Sequence, residues 1–211
     1  MLISLLFTEP ITFFLLAIAL VISLTIHEFA HAFVSNKLGD PTAKSLGRLT
    51  LNPSAHLDPW GTIALLVAGI GWGKPVPYNP MYFKNPKRDT AFVSLAGPIS
   101  NFVLAFISAM LLKLMIYNFM GYSNAILINL LSLLVFYNLI LGFFNLIPIH
   151  PLDGFKVVGG ILPQRLSYQW AQVASYGSWI LLALVFTRSI GKILNPLVSL
   201  GLRILGLSSF F

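Results

Sequence analysis

Predominantly apolar stretches alternate with short polar ones along this chain. Residues 10–35, 91–116, 124–147 and 168–187 each run for about the 20 apolar positions that a bilayer-spanning helix requires. A further stretch, 190–205, is shorter and contains Pro196, and it fits either a tilted span or an interfacial helix. Residues 61–73 are apolar, glycine-rich and too short to cross, so they are expected to be re-entrant or packed against protein. The connection 36–90 has a different rhythm. Within it 44–52 alternates, with Leu46, Arg48 and Thr50 on one side and Leu49 and Leu51 on the other, which is the period of a strand. Residues 74–83 carry Pro75, Pro77 and Pro80 and predict extended chain or an edge strand. The expected fold is an α-helical polytopic membrane protein of about five to six membrane helices. A small membrane-associated β-sheet is expected between the first two core helices. One domain over 1–211 is expected, with its core at about 10–165 and C-terminal helices in 168–211.

Composition strengthens the membrane reading. The chain is 57% hydrophobic and 9% charged, where a soluble domain has about a quarter of its residues charged. The net charge of +7 does not call for a nucleic-acid partner, because the basic residues sit in loops between apolar runs, facing anionic lipid. Of the 13 Lys and Arg, the 36–90 connection holds Lys37, Lys44, Arg48, Lys74, Lys84, Lys87 and Arg88, whereas 117–123 holds none. The positive-inside rule then puts the first connection in the cytoplasm and the second outside. A multi-pass protein of the cell membrane is expected, its site towards the cytoplasmic side. With no cysteine there is neither a disulfide framework nor a thiol nucleophile. The N-terminus lacks a basic n-region, so the first apolar run is read as a retained helix.

Against this background, "IHEFAHAF" (26–33) puts ionisable groups at the end of an apolar helix. His27 and His31 are four apart and share one helix face, so two imidazoles can share one metal ion. Glu28 is rotated about 100° from His27 and still reaches a metal-bound water, the H-E-x-x-H arrangement of two ligands and a general base. The plainer alternative is a polar patch lining a water-filled cavity or pairing with another helix. Ionisable groups inside a span are functional by default, which favours the metal. A catalytic zinc takes three protein ligands and leaves a position for water. Asp153 is the candidate third. It lies in "FFNLIPIHPLDGFKV", directly after the third span, on a turn at the same depth as His31.

With these pieces in order the sequence resembles the site-2 protease family of intramembrane zinc metalloproteases, over roughly residues 20–160. "HEFAH" (27–31) is similar to its zinc helix, "AGPISN" (96–101) to its glycine-asparagine motif, and "NLIPIHPLDG" (145–154) to its N-x-x-P-x-x-P-L-D-G motif. "LNPSAHLDPWGT" (51–62) and "GKPVPYNP" (73–80) resemble the compact bacterial and archaeal branch, without room for an inserted PDZ or CBS domain. The resemblance implies one Zn2+ per chain on His27, His31 and Asp153, Glu28 as the base, and Asn145 holding the substrate carbonyl or the oxyanion. Asn101 is a weaker candidate for active-site hydrogen bonding. Arg48, Leu49 and Thr50, on the expected strand, are candidates for receiving an unwound substrate by β-augmentation.

His150 departs from the family pattern, where an apolar residue or proline is common, and fits a residue hydrogen-bonded to a metal ligand, a pH-sensitive neighbour or a loop residue. His56 and Asp58 sit in a proline-flanked loop and read as turn residues, and Asn138 reads as interhelical glue. The function implied is cleavage of transmembrane segments of other membrane proteins by Glu-assisted attack of a zinc-bound water. Two other classes compete. A metal-ion transporter would need more ionisable residues along its spans than are present. A catalytically dead homologue that binds membrane proteins would usually have lost Glu28 or a ligand.

Overall fold

The computed structural model describes residues 2–68, 71–118 and 124–211. Helices α1 (Leu2–Thr8) and α2 (Pro10–Lys37) follow one another, α2 opening on Pro10 at its first helical position. Lys37 lies in the last turn of α2, where a cation suits the helix dipole, and the chain leaves through Gly39 at φ 107°. Two short helices follow, α3 (Thr42–Ser45) and α4 (Pro59–Ala68). Helix α5 (Pro86–Asn118) starts on a proline, and Asp89 in its first turn accepts the Asn85 N–H at 2.9 Å. Helix α6 (Ala125–Asn145) is capped by the Asn124 side chain, which accepts from the N–H groups of Ile126 and Leu127. Then come α7 (Asp153–Ile161), α8 (Gln164–Phe186) and α9 (Ser189–Ile204).

Helices α2, α5 and α6 pack together as the central bundle, with α9 against α6. Small residues sit where they meet: Ala19, Ala105 and Ala109 are buried among Leu112, Leu131, Leu134, Val135 and Leu139. The outward face of α5 exposes Phe92, Ile99, Val103, Phe106 and Met110 at helical spacing, a surface that lipid covers.

Helices α2 and α6, and residues Pro86–Ile116 of α5, are long and apolar enough to cross a bilayer, which makes this a multi-pass membrane protein. The expected 168–187 span takes a different form. Helix α8 qualifies only together with α9, and the two are bent by 82°, giving three spans or up to four among the described residues. The first half of α8 carries Gln164, Arg165, Gln169 and Gln172, which shortens its apolar part. Of the 61–73 stretch, the described residues supply the end of the ten-residue α4, too short to span, while residues 69–70 lie outside the described residues. Among the described residues the expected five to six membrane helices are therefore not confirmed.

No sheet forms among the described residues. One isolated antiparallel bridge joins Leu57 to Gly73. The alternation in 44–52 belongs instead to the end of α3. Gly47 takes φ 68°, and the N–H groups of Gly47 and Arg48 close onto the carbonyls of Lys44 and Ala43 in a helix-ending turn. Residues 74–79 are extended, as their prolines require, but Pro75 and Pro77 have no N–H to give to a ladder.

Candidate metal centre

Three elements meet at one buried point. Helix α2 supplies His27, Glu28 and His31, α5 passes behind them, and the first turn of α7 brings Asp153. Asp153 Oδ2 lies 3.2 Å from His27 Nε2 and 3.1 Å from His31 Nε2, and the two Nε2 atoms are 3.0 Å apart. One ligand atom from each residue lies within 4.8 Å of the others, so the set can hold a metal ion.

The outer nitrogens decide what the inner ones offer. His31 Nδ1 sits 2.6 Å from the carbonyl oxygen of Val93, a group that only accepts, so this nitrogen carries the proton. His27 Nδ1 sits 2.6 Å from Asn101 Oδ1 and likewise donates. Both Nε2 atoms then turn lone pairs towards the carboxylate. Three acceptors converging in a buried place repel one another unless a cation sits between them. The donor chemistry fits a metal.

Two glycines make the meeting possible. A Cβ on Gly97 would lie 2.4 Å from His31 Nε2 and 2.6 Å from His27 Nε2, so any side chain there would fill the centre. A Cβ on Gly154 would lie 2.2 Å from the Leu146 carbonyl oxygen. Without one, the start of α7 folds back on the end of α6 and holds Asp153 in reach. Pro98 has no N–H, so the Ser94 carbonyl one turn earlier in α5 lacks its intrahelical donor.

Glu28 is buried beside this group and accepts the Val76 N–H at 3.1 Å. Val76 is held in turn by Arg48, whose guanidinium donates to the carbonyls of Lys74 (2.5 Å) and Pro75 (3.1 Å). Arg48 is thus a clamp on the extended chain. Leu49 packs on Ala32, Ala43 and Val76, while the Thr50 carbonyl accepts from His56 Nε2 at 2.8 Å. These three residues lie on no strand. Asn101 is fully buried behind His27. Asn145, the last residue of α6, donates its amide to its own helix at the Leu141 carbonyl, 3.0 Å away.

The remaining polar candidates fall in loops or between helices. Asp58 accepts the Gly61 N–H at 2.8 Å at the start of α4, and the His56 bond to Thr50 closes the same loop. His150 is half-buried, edge-on to Phe155. Asn138 joins α6 to α2 and α5. Sequence reasoning had Gly97 only as part of the AGPISN motif, and it missed Val76 and the Val93 carbonyl. The last two act through the backbone and leave no mark in side-chain chemistry.

Residues 15–121 and 113–186 match Peptidase family M50. The chain belongs to that family. Its M50 relatives include "Putative zinc metalloprotease YwhC" of Bacillus subtilis, 44% identical over 189 residues that cover 88% of this chain and 86% of the relative. "Putative zinc metalloprotease Rip2" of Mycolicibacterium smegmatis is 30% identical over 93% of this chain and 76% of its own length. "Zinc metalloprotease MJ0392" of Methanocaldococcus jannaschii is 30% identical over 72% of this chain, which is 36% of that longer protein. No solved structure matches the chain. The site-2 protease resemblance read from HEFAH, AGPISN and NLIPIHPLDG agrees with this membership.

Proposed function

We propose that this M50 protein is an intramembrane zinc endopeptidase that cleaves transmembrane segments of other membrane proteins, as in regulated intramembrane proteolysis. The observation that carries the reading is the convergence of two imidazole lone pairs and a carboxylate on one buried point, with Glu28 adjacent. The names of the B. subtilis, M. smegmatis and M. jannaschii relatives support zinc as the ion. Zinc, when bound by His27, His31 and Asp153, supplies a Lewis acid and lowers the pKa of a water in its open position.

The chain's own groups do the rest. Glu28 takes one proton from the water as its oxygen bonds to the scissile carbonyl carbon. When the C–N bond breaks, Glu28 returns that proton to the departing amine, leaving a new carboxyl end and a new amino end. Asn145 has a second amide hydrogen besides the one spent on Leu141, and this is the donor proposed for the substrate carbonyl. A helical substrate must first unwind, and its freed backbone groups need partners. The extended chain 74–79 is the candidate, with Leu49 and Thr50 alongside. The face of α2 that carries Glu28 continues as Leu24, Val21, Ala17 and Phe13, lining an apolar cavity of about 160 Å³. An apolar wall leading to a polar centre suits a transmembrane segment.

The test is Glu28→Gln. Glutamine keeps the shape but accepts no proton, so zinc content should stay near one equivalent while turnover of a co-reconstituted single-span substrate falls at least about a hundredfold. Turnover near that of the wild type would remove Glu28 from the mechanism. Wild-type protein free of zinc after metal-replete purification would remove the metal reading.

A further inference from the structure

We infer that Asn138, acting with Ser23, is a positioning residue for the metal centre. It sets the direction of a hydrogen-bond relay that crosses three helices, ends on His27, and determines whether the imidazole nitrogen that faces Asp153 carries the proton. The inference rests on the reading of the triad as a zinc site.

The direction follows from groups that can act in only one sense. Asn138 Nδ2 donates to the carbonyl of Leu134 at 2.8 Å and to Ser23 Oγ at 2.7 Å. A main-chain carbonyl cannot donate, so the amide nitrogen must be on that side and Asn138 Oδ1 must point the other way. There it accepts from Asn101 Nδ2 at 2.7 Å. Asn101 Nδ2 is fixed again by a second carbonyl, that of Ser23, at 3.3 Å. Only Asn101 Oδ1 is then left for His27 Nδ1, 2.6 Å away. Ser23 Oγ spends its own proton on the Ala19 carbonyl at 2.6 Å and so is an acceptor for Asn138. Flipping either amide would turn a carbonyl oxygen onto another carbonyl oxygen.

Ser23, Asn101 and Asn138 are each 0% exposed, where α2, α5 and α6 pack together. Buried amides are costly unless every partner is present, and here each has found its own. Ser23 and His27 are four apart on α2, so Asn138 reaches the helix face that carries the metal ligands.

The alternative that the relay suppresses is specific. A neutral His27 with its proton on Nε2 can donate to Asp153 Oδ2, 3.2 Å away, and so close the centre without any metal. Holding the proton on Nδ1 leaves Nε2 as a ligand. Asn101 touches His27, and Asn138 acts one step back by giving Asn101 its orientation. Loss of such an outer partner lowers metal affinity by about 10–100-fold.

Asn138→Leu replaces the amide with an apolar side chain of similar size. We expect zinc affinity, measured by chelator competition in detergent, to fall about 10–100-fold. The cobalt-substituted protein should show a changed visible spectrum, and the zinc-free protein should stay helical although Asn101 Nδ2 and Ser23 Oγ each lose a partner. Asn101→Ala should weaken zinc comparably, and adding Asn138→Leu to it should cost nothing more, because the relay is already cut. Wild-type affinity in Asn138→Leu, or losses that add in full, would show that Asn138 only packs the helices. Should the variants fail to fold, nitrogen-15 NMR of histidine-labelled wild-type protein, zinc-free at mildly alkaline pH, decides the matter. His27 protonated on Nδ1 supports the relay, and His27 protonated on Nε2 overturns it. This measurement stands even if the wild type binds no zinc, so failure of the relay and failure of the zinc reading are separate results.

Discussion

At Gly97 a hydrogen stands where every other residue type would put a carbon, and the space so kept is the proposed metal centre. Alanine is the better helix former by about 1 kcal/mol, so Gly→Ala inside a helix ordinarily stabilises. At position 97 the added methyl would lie 2.4 Å from His31 Nε2. Gly97→Ala should therefore lose zinc and activity together while the helices stay folded. Gly191→Ala is the control, since a Cβ there meets nothing within 4 Å. It should keep zinc and gain up to about 1 kcal/mol. Metal analysis of the two purified variants checks this, and full zinc occupancy in Gly97→Ala would contradict it. The histidine pair and Glu28 were legible in the sequence because helical periodicity alone puts positions 27 and 31 on one face. Gly97 was legible only as part of a family motif, because what makes it necessary is the distance to another helix.

Between elements, one carboxylate ties the region that covers Glu28 to the bundle. Asp40 is fully buried and accepts four hydrogen bonds. They come from Ser35 at the end of α2, from the Thr42 N–H and hydroxyl that open α3, and from the Asn79 N–H of the extended chain. Burial pushes its carboxyl up, but the bonds from Thr42, Asn79 and Ser35 outweigh this and hold it below its ordinary value. A carboxyl lower in the folded than in the unfolded state stabilises above the unfolded pKa, about 3.9, and loses that contribution as pH falls through the folded value. Asp40→Asn should thus melt below the wild type at neutral pH, and the gap should narrow as pH falls from about 5 towards 3. Protease cutting in 74–85 should rise in the variant first, because Asn79 is released. A gap independent of pH would show that the ionised form is not what binds. The strand expected at 44–52 failed at this same scale. Four or five alternating positions also describe a helix end, and Gly47 at positive φ, with its C-capping turn, was the competing signal.

Over the whole molecule, orientation is the open consequence of the charge pattern. The chain has no cysteine, so single cysteines can be introduced without background. Lys84→Cys lies in the basic connection before α5, and Ala125→Cys lies at the start of α6, and both positions are exposed. A membrane-impermeant thiol reagent added to intact cells should label Ala125→Cys and spare Lys84→Cys, and inverted vesicles should reverse the result. The opposite pattern would put the metal centre on the outer side.

The sequence by itself determined the long helices α2, α5 and α6, because a bilayer demands runs of apolar residues and leaves the backbone no other way to bond. It also determined the chemistry available. With six acids and four histidines in 211 residues, His27, Glu28, His31 and Asp153 stood out against an apolar field. Tertiary structure decided the rest. The path of 44–83, the 82° bend between α8 and α9, and the relay through Asn138 depend on contacts between residues far apart in the chain. Periodicity reports only how a segment faces its immediate surroundings. It carries nothing about which carbonyl of a neighbouring helix will be within hydrogen-bonding reach, and here such carbonyls, Val93 and Ser23, accept from His31 and Asn101.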